Sequence, residues 1–206
     1  MNIARDVGDV LYHDFAKAAG GGACLCPDCG KPSLTVSRGI EVGNIFQLGK
    51  KYTESMGMRF TDENGEPRYP VMGCYGIGVE RLAASVCEAR HDAFGPVWPV
   101  SIAPWHVHIC CLRADDGDVR AASDRLYETL LKENVEAIYD DRVVSAGVMF
   151  SDADLLGVPL RVIVSPRNLK DGRCELVTRD KSVSRMAPLD GAAGAVRALL
   201  AELMKR

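Results

Sequence analysis

Two clusters of residues in this sequence have the types and spacing that chemistry needs. The first is Gly73-Cys74-Tyr75-Gly76-Ile77-Gly78-Val79-Glu80-Arg81. Three glycines at this spacing let a backbone come close to a ligand and bend sharply into a following helix. Arg81 falls in the first turn of that helix, where a guanidinium can hold phosphate oxygens or stack on a purine. The segment has neither the Gly-Lys-Ser/Thr ending of a phosphate-binding loop nor the full Gly-x-Gly-x-x-Gly spacing of a dinucleotide turn. Read alone, it also fits a tight structural turn. The second cluster is the thiol-rich turn Cys24-Leu25-Cys26-Pro27-Asp28-Cys29-Gly30. Cys26-x-x-Cys29 has the spacing of one zinc knuckle, with Cys24 as a third thiolate. A closed structural zinc site needs four ligands, and no second Cys-x-x-Cys follows at ribbon spacing. A reduced turn without metal is therefore expected, with zinc and a redox pair as the alternatives. His106 and His108 alternate on one face of a strand and read as polar surface residues or as a metal or catalytic pair. His91 falls where it can cap the C-terminal end of the preceding helix.

The elements that must carry these residues follow from periodicity. Residues 33–38 and 40–48 read as strands. Residues 61–67 form a hairpin turn around Asn64-Gly65. The run 69–77 is a strand entering the glycine-rich bend, and a helix follows over 79–89 with Leu82, Val86 and Ala89 on one face. The prolines of residues 95–104 favour an extended linker, and the domain boundary is expected there, giving parts 1–100 and 101–206. Beyond it, strands at 107–112, 135–139, 160–164 and 174–178 and a short one near Val183 alternate with helices at 118–133, 146–156 and 194–204. That order predicts a compact α/β domain with a mixed sheet.

Composition excludes several classes. The chain has 206 residues, 47% hydrophobic and 26% charged, so it can bury a core and is not disordered as a whole. Its net charge of −3 lacks the basic excess of a nonspecific nucleic-acid coat. RNA recognition would need a local patch, for which Arg161, Arg167, Lys170, Arg173, Arg179, Lys181 and Arg185 are candidates; a solvated strand surface is the alternative. No apolar run approaches the ~18 residues of a membrane span, and Met1–Tyr12 lacks a signal core, so a cytoplasmic protein without membrane contact is expected. Eight cysteines in such a chain are expected to be reduced, with Cys87, Cys110, Cys111 and Cys174 as small buried hydrophobes.

In combination and in order, several blocks resemble bacterial-type prolyl-tRNA synthetase from about residue 20 onward. These are the run from Arg38 through Glu41, Asn44, Phe46, Gln47 and Gly49 to Tyr52, then Gly73–Arg81, then Gly95-Pro-Val-Trp98-Pro. Gly73–Arg81 looks like motif 3 of the class II synthetases. Asp140-Asp141-Arg142 and Gly147–Pro159 resemble the anticodon-binding domain of class IIa. The resemblance implies an α/β protein: the remnant of a class II antiparallel sheet (α+β), followed by a compact anticodon-binding domain. It implies ligation of L-proline to tRNA(Pro) through a prolyl-adenylate, with ATP and Mg²⁺ and with a homodimeric parent enzyme. On that resemblance Arg81 holds ATP. Glu41, Asn44, Phe46 and Gln47 line the adenylate pocket, Cys74 lies near the proline pocket, and Gly76 and Gly78 complete the bend; a surface strand carboxylate at Glu41, a core residue at Phe46 and a buried structural thiol at Cys74 are the alternatives. Asp140, Asp141, Arg142 and Phe150 are candidate contacts to the anticodon loop; helix capping and core packing around the helix beginning near Ala146 are the alternative.

Three departures from the family pattern carry expectations. Asn44 stands where the family usually has His, and an amide cannot titrate near neutrality. Met149 stands where a Lys is usual, which should remove one cation from tRNA binding. Motifs 1 and 2 and the editing insertion are not found, so a truncated start is expected, and the chain alone should not form adenylate. A stand-alone anticodon-binding module is the alternative function.

Overall fold

The computed structural model describes residues 38–205. The strand expected at 33–38 and the thiols Cys24, Cys26 and Cys29 therefore lie outside the described residues, apart from Arg38.

The glycine-rich region is built on a two-stranded antiparallel ladder. Strand β1 (Gly43–Gly49) pairs with β4 (Met72–Ile77). Between them come a short helix α1 (Lys51–Ser55) and a hairpin of β2 (Phe60–Thr61) and β3 (Pro67–Arg68) around the expected turn. Buried Thr53 fastens α1 to the incoming strand, its hydroxyl donating to the Pro70 carbonyl at 2.8 Å. Helix α2 (Val79–Ala89) starts directly at Gly78, which serves as its N-cap.

The proline-rich stretch is not a free linker. Strands β5 (His91–Asp92) and β6 (Gly95–Pro96) form a small hairpin. Val97 N–H then donates to the Arg90 carbonyl, and Trp98 N–H donates to the Gly157 carbonyl, far along the chain. Val42–Arg206 forms one compact unit.

The second half contains a five-stranded mixed sheet in the order β11-β10-β9-β7-β8. Its strands are β7 (Val107–Cys111), β8 (Ala137–Asp140), β9 (Leu160–Val164), β10 (Arg173–Thr178) and β11 (Ser184–Pro188). β7 runs parallel to β8 and β9, and β9-β10-β11 is an antiparallel meander. The helices are α3 (Gly117–Lys132), α4 (Ala146–Leu156), α5 (Pro166–Lys170) and α6 (Ala192–Leu203). The α5 turn is not expected from periodicity; Ser165 caps it, and Pro166 occupies its first turn, where no N–H is needed.

Strand alternation divides the core. Val107, Ile109 and Cys111, with Leu160, Val162 and Val164, pack against the apolar faces of α3 and α6. Cys110 and Ile163 point the other way, onto Met149 and Ala153 of α4. His108 and Arg161 have the same parity as these latter residues and therefore belong to the α4 side. Burial of Cys110 pushes its thiol up to about 12, so it behaves as a small apolar residue.

Candidate functional site

In the glycine-rich ladder, register brings expected residues together. Asn44 lies opposite Gly76, and Phe46 opposite Cys74. Alternation places these four on one face and Gln47, with Ile45 and Tyr75, on the other. Asn44, Gln47 and Cys74 are exposed, Glu41 and Arg81 are exposed before β1 and in the first turn of α2, and Phe46 is half exposed. None of Gly73, Gly76 and Gly78 has positive φ. A Cβ added at Gly76 would meet nothing within 4 Å among the described residues, whereas one at Gly78 would sit 3.3 Å from the Arg81 Cβ. Among the described residues, neither conformation nor packing demands the Gly73 and Gly76 glycines. They are available for close approach by another group.

The second candidate site lies where β8 ends beside α4. A cavity of about 390 Å³ opens there, walled by His108, Ile138, Tyr139, Leu155 and Leu156, with Asp140, Asp141, Arg142 and Asp152 as its polar groups. The Arg142 guanidinium is clamped between two carboxylates. Nε donates to Asp140 Oδ1 at 2.9 Å, and Nη2 donates to Asp140 Oδ2 and to Asp152 Oδ2, each at 2.7 Å. Arg142 stays half exposed while Asp140 is buried. The Arg142 hydrogen bonds hold the Asp140 carboxyl below the usual carboxylate range, and Asp140 and Asp152 hold Arg142 above its ordinary value. Asp141 turns outward to Arg120, 2.6 Å away.

Several expectations change here. His108 is not a surface residue: it is 2% exposed, and neither ring nitrogen has a hydrogen-bond partner among the described residues. Desolvation lowers it to about 4, so the ring is neutral near neutrality. His106 is separately engaged, its Nδ1 accepting from the Glu136 N–H at 3.3 Å. Phe150 is partly buried on the α4 core, with the Arg161 guanidinium 5.1 Å from its ring centre. Met149 is fully buried beside Cys110, Ala153 and Ile163. It is thus a packing position in this chain. The late basic patch loses Arg161 and Arg179 to burial, while Arg167, Lys170, Arg173, Lys181 and Arg185 stay exposed. Arg161 is buried and paired with Asp154; Arg179 is buried and makes two bonds to Asp92, at 2.7 and 2.8 Å; Lys181 reaches Asp154 and Arg185 reaches Glu202. His91 meets its expectation, with Nδ1 3.0 Å from the Glu88 carbonyl oxygen in the last turn of α2. Sequence reading missed Asp152, whose only signal is its place two turns into α4, facing the end of β8.

The fold and the pocket define a class: residues 106–199 match the anticodon binding domain family, and residues 28–90 match the tRNA synthetase class II core domain of the G, H, P, S and T enzymes. The chain is 44% identical over 190 residues to a proline–tRNA ligase of Dehalococcoides mccartyi, covering 92% of the chain and 33% of that protein. Its identity to the ligase of Geobacter sulfurreducens is 40% over 206 residues, covering 100% of the chain and 36% of that protein. It matches the C-terminal portion of a prolyl-tRNA synthetase. A solved structure of the synthetase from Cryptosporidium parvum, in complex with L-proline and AMP, superposes with a TM-score of 0.69 at 23% identity, over 80% of this chain and 34% of that one. The chain spans about a third of the length of the curated relatives it matches.

Proposed function

We propose that this chain is the anticodon-reading and motif 3 portion of an enzyme that joins L-proline to tRNA(Pro) at the expense of ATP. The observation that carries the reading is the Asp140–Arg142–Asp152 clamp at the rim of the cavity, inside the segment that matches the anticodon-binding family. A guanidinium held by carboxylates but half exposed is already oriented for the edge of a splayed base or for a phosphate. Arg142 is the main contact in this reading, Asp140 and Asp152 orient it, and Asp141 and Phe150 flank it. The two functional parts divide near residue 100.

The glycine ladder serves the other substrates. ATP rests against Gly76, Gly78 and the Arg81 guanidinium. Proline and the adenylate face Asn44, Phe46 and Cys74, and Gln47 lies on the opposite face of the ladder. Mg²⁺ accompanies ATP in such chemistry. No cluster of three or more His, Cys, Asp or Glu able to hold a metal ion is found among the described residues. No described helix is long and apolar enough to cross a membrane. A cytoplasmic location and a homodimeric parent enzyme go with this reading.

The test is binding of the 206-residue chain to tRNA(Pro) and to the same tRNA with a changed anticodon, at several salt concentrations. Preference for the unaltered anticodon at every salt supports the reading, and equal binding to both overturns it. In the same preparation, proline- and ATP-dependent pyrophosphate exchange is expected to be absent.

A further inference from the structure

His108 lines the pocket but makes none of the hydrogen bonds an imidazole can make among the described residues. An orphaned polar group at this depth is costly, and an apolar residue of similar size would fill the position better. Its surroundings explain what it could do. Nε2 lies 3.9 Å from Asp140 Oδ2, about one ångström beyond hydrogen-bond length. Cys110 follows on the same face of β7, with its thiol un-ionised. Arg161, its register partner on β9, is already committed to Asp154. From α4 comes Asp152, which is occupied by Arg142. Asp140 is thus the carboxylate that faces the ring, and Arg142 holds both of its oxygens.

Any ligand that draws the Arg142 guanidinium away leaves a buried carboxylate with its two charge-assisted bonds broken. That loss would oppose binding unless another donor replaced them. We propose that His108 is the positioning residue of this pocket, taking over the Asp140 carboxylate through Nε2–H when Arg142 turns to an RNA base or phosphate. The inference rests on the anticodon reading given above. A neutral ring protonated on Nε2 suffices, and a small rotation of the Asp140 carboxyl closes the gap.

The experiment measures fluorescence anisotropy of a labelled RNA hairpin carrying the anticodon loop of tRNA(Pro), with the full chain and with His108→Leu and His108→Gln, alongside thermal melting of each protein. His108→Leu is expected to bind about 10-fold more weakly, the effect of one hydrogen bond to a charged group. Its melting temperature should be unchanged or higher, because an orphaned polar group has been removed. His108→Gln, which carries an amide to the Nε2 position, should recover to within about 3-fold of wild type. Wild-type affinity in His108→Leu overturns the assignment. So does a melting temperature that falls together with affinity, since that marks a purely structural role, or a failure of Gln to rescue. If wild type does not prefer this hairpin over one with an altered loop, the anticodon reading fails and the His108 assignment falls with it. If wild type is selective and His108→Leu is equally tight, only the assignment falls.

Discussion

The Asp140–Arg142–Asp152 clamp gathers a cation and two carboxylates at the rim of the cavity. Truncating Arg142 to Ala should weaken binding of the hairpin about 10-fold and reduce the salt slope by about 1, if the guanidinium meets RNA. Titrations at three ionic strengths would show it; an unchanged slope would mean that Arg142 only braces the loop. His108 makes a separate prediction for stability. Its folded value, about 4, lies below the ordinary 6.5, so the unfolded chain takes up the proton first as pH falls. Folding stability is therefore unaffected by this ring above pH 6.5 and falls as pH drops from 6.5 to about 4. The loss amounts to about 3 kcal/mol. Urea melts across that window should show a slope that His108→Leu flattens; Asp140, held low by Arg142, adds its own loss only at more acid pH.

At the scale of elements, the glycine that ends α4 does more than terminate a helix. Gly157 has φ of 72°, and a Cβ there would lie 2.4 Å from the Pro96 carbonyl oxygen. Its own carbonyl accepts from Trp98 N–H at 3.2 Å. Helix end and proline-rich segment therefore share one tight contact, which Arg179 and Asp92 reinforce. Gly157→Ala should cost about 3 kcal/mol, from the left-handed conformation plus the overlap. By contrast, Asp116→Ala, which removes the N-cap bonds to the Asp118 and Val119 N–H groups of α3, should cost about 1 kcal/mol. Chemical denaturation of both variants checks the ranking. If Gly157→Ala costs no more than Asp116→Ala, the contact between α4 and the proline-rich segment is not tight.

On the scale of the whole chain, the two halves are buried very differently. The α/β half encloses two apolar clusters, whereas α2 and β4 contain no buried residue. Ile45 and Tyr75 are cross-strand neighbours, 79% and 83% exposed, with Ile77 on the same face. An apolar face of this kind favours association. Light scattering of the 206-residue chain should show mass rising with concentration, and Ile45→Thr with Tyr75→Ser should suppress the rise. A concentration-independent monomer would contradict this.

Most elements of the α/β half were legible in the sequence because each obeys a local rule. Val119, Ala122, Leu126 and Leu130 recur at helical spacing, and the strand runs are short, apolar and bounded by turn residues. The glycine bend into α2 was likewise readable, since its residues are contiguous, whereas the Asp140-Asp141-Arg142 block stood out only through its resemblance to a family. What the sequence could not decide is which partner each charge finds. Arg161 and Arg179 look like a surface patch in one dimension. Only the sheet register and the packing of α4 bury them against Asp154 and Asp92. Asp152 joins Arg142, and His108 comes to lie beside Asp140, because β7, β8 and α4 meet at one corner. Local periodicity fixes an element and the faces it presents, but long-range packing decides what each face meets and how much water remains there. Those two quantities set the chemistry of a charged or titratable side chain.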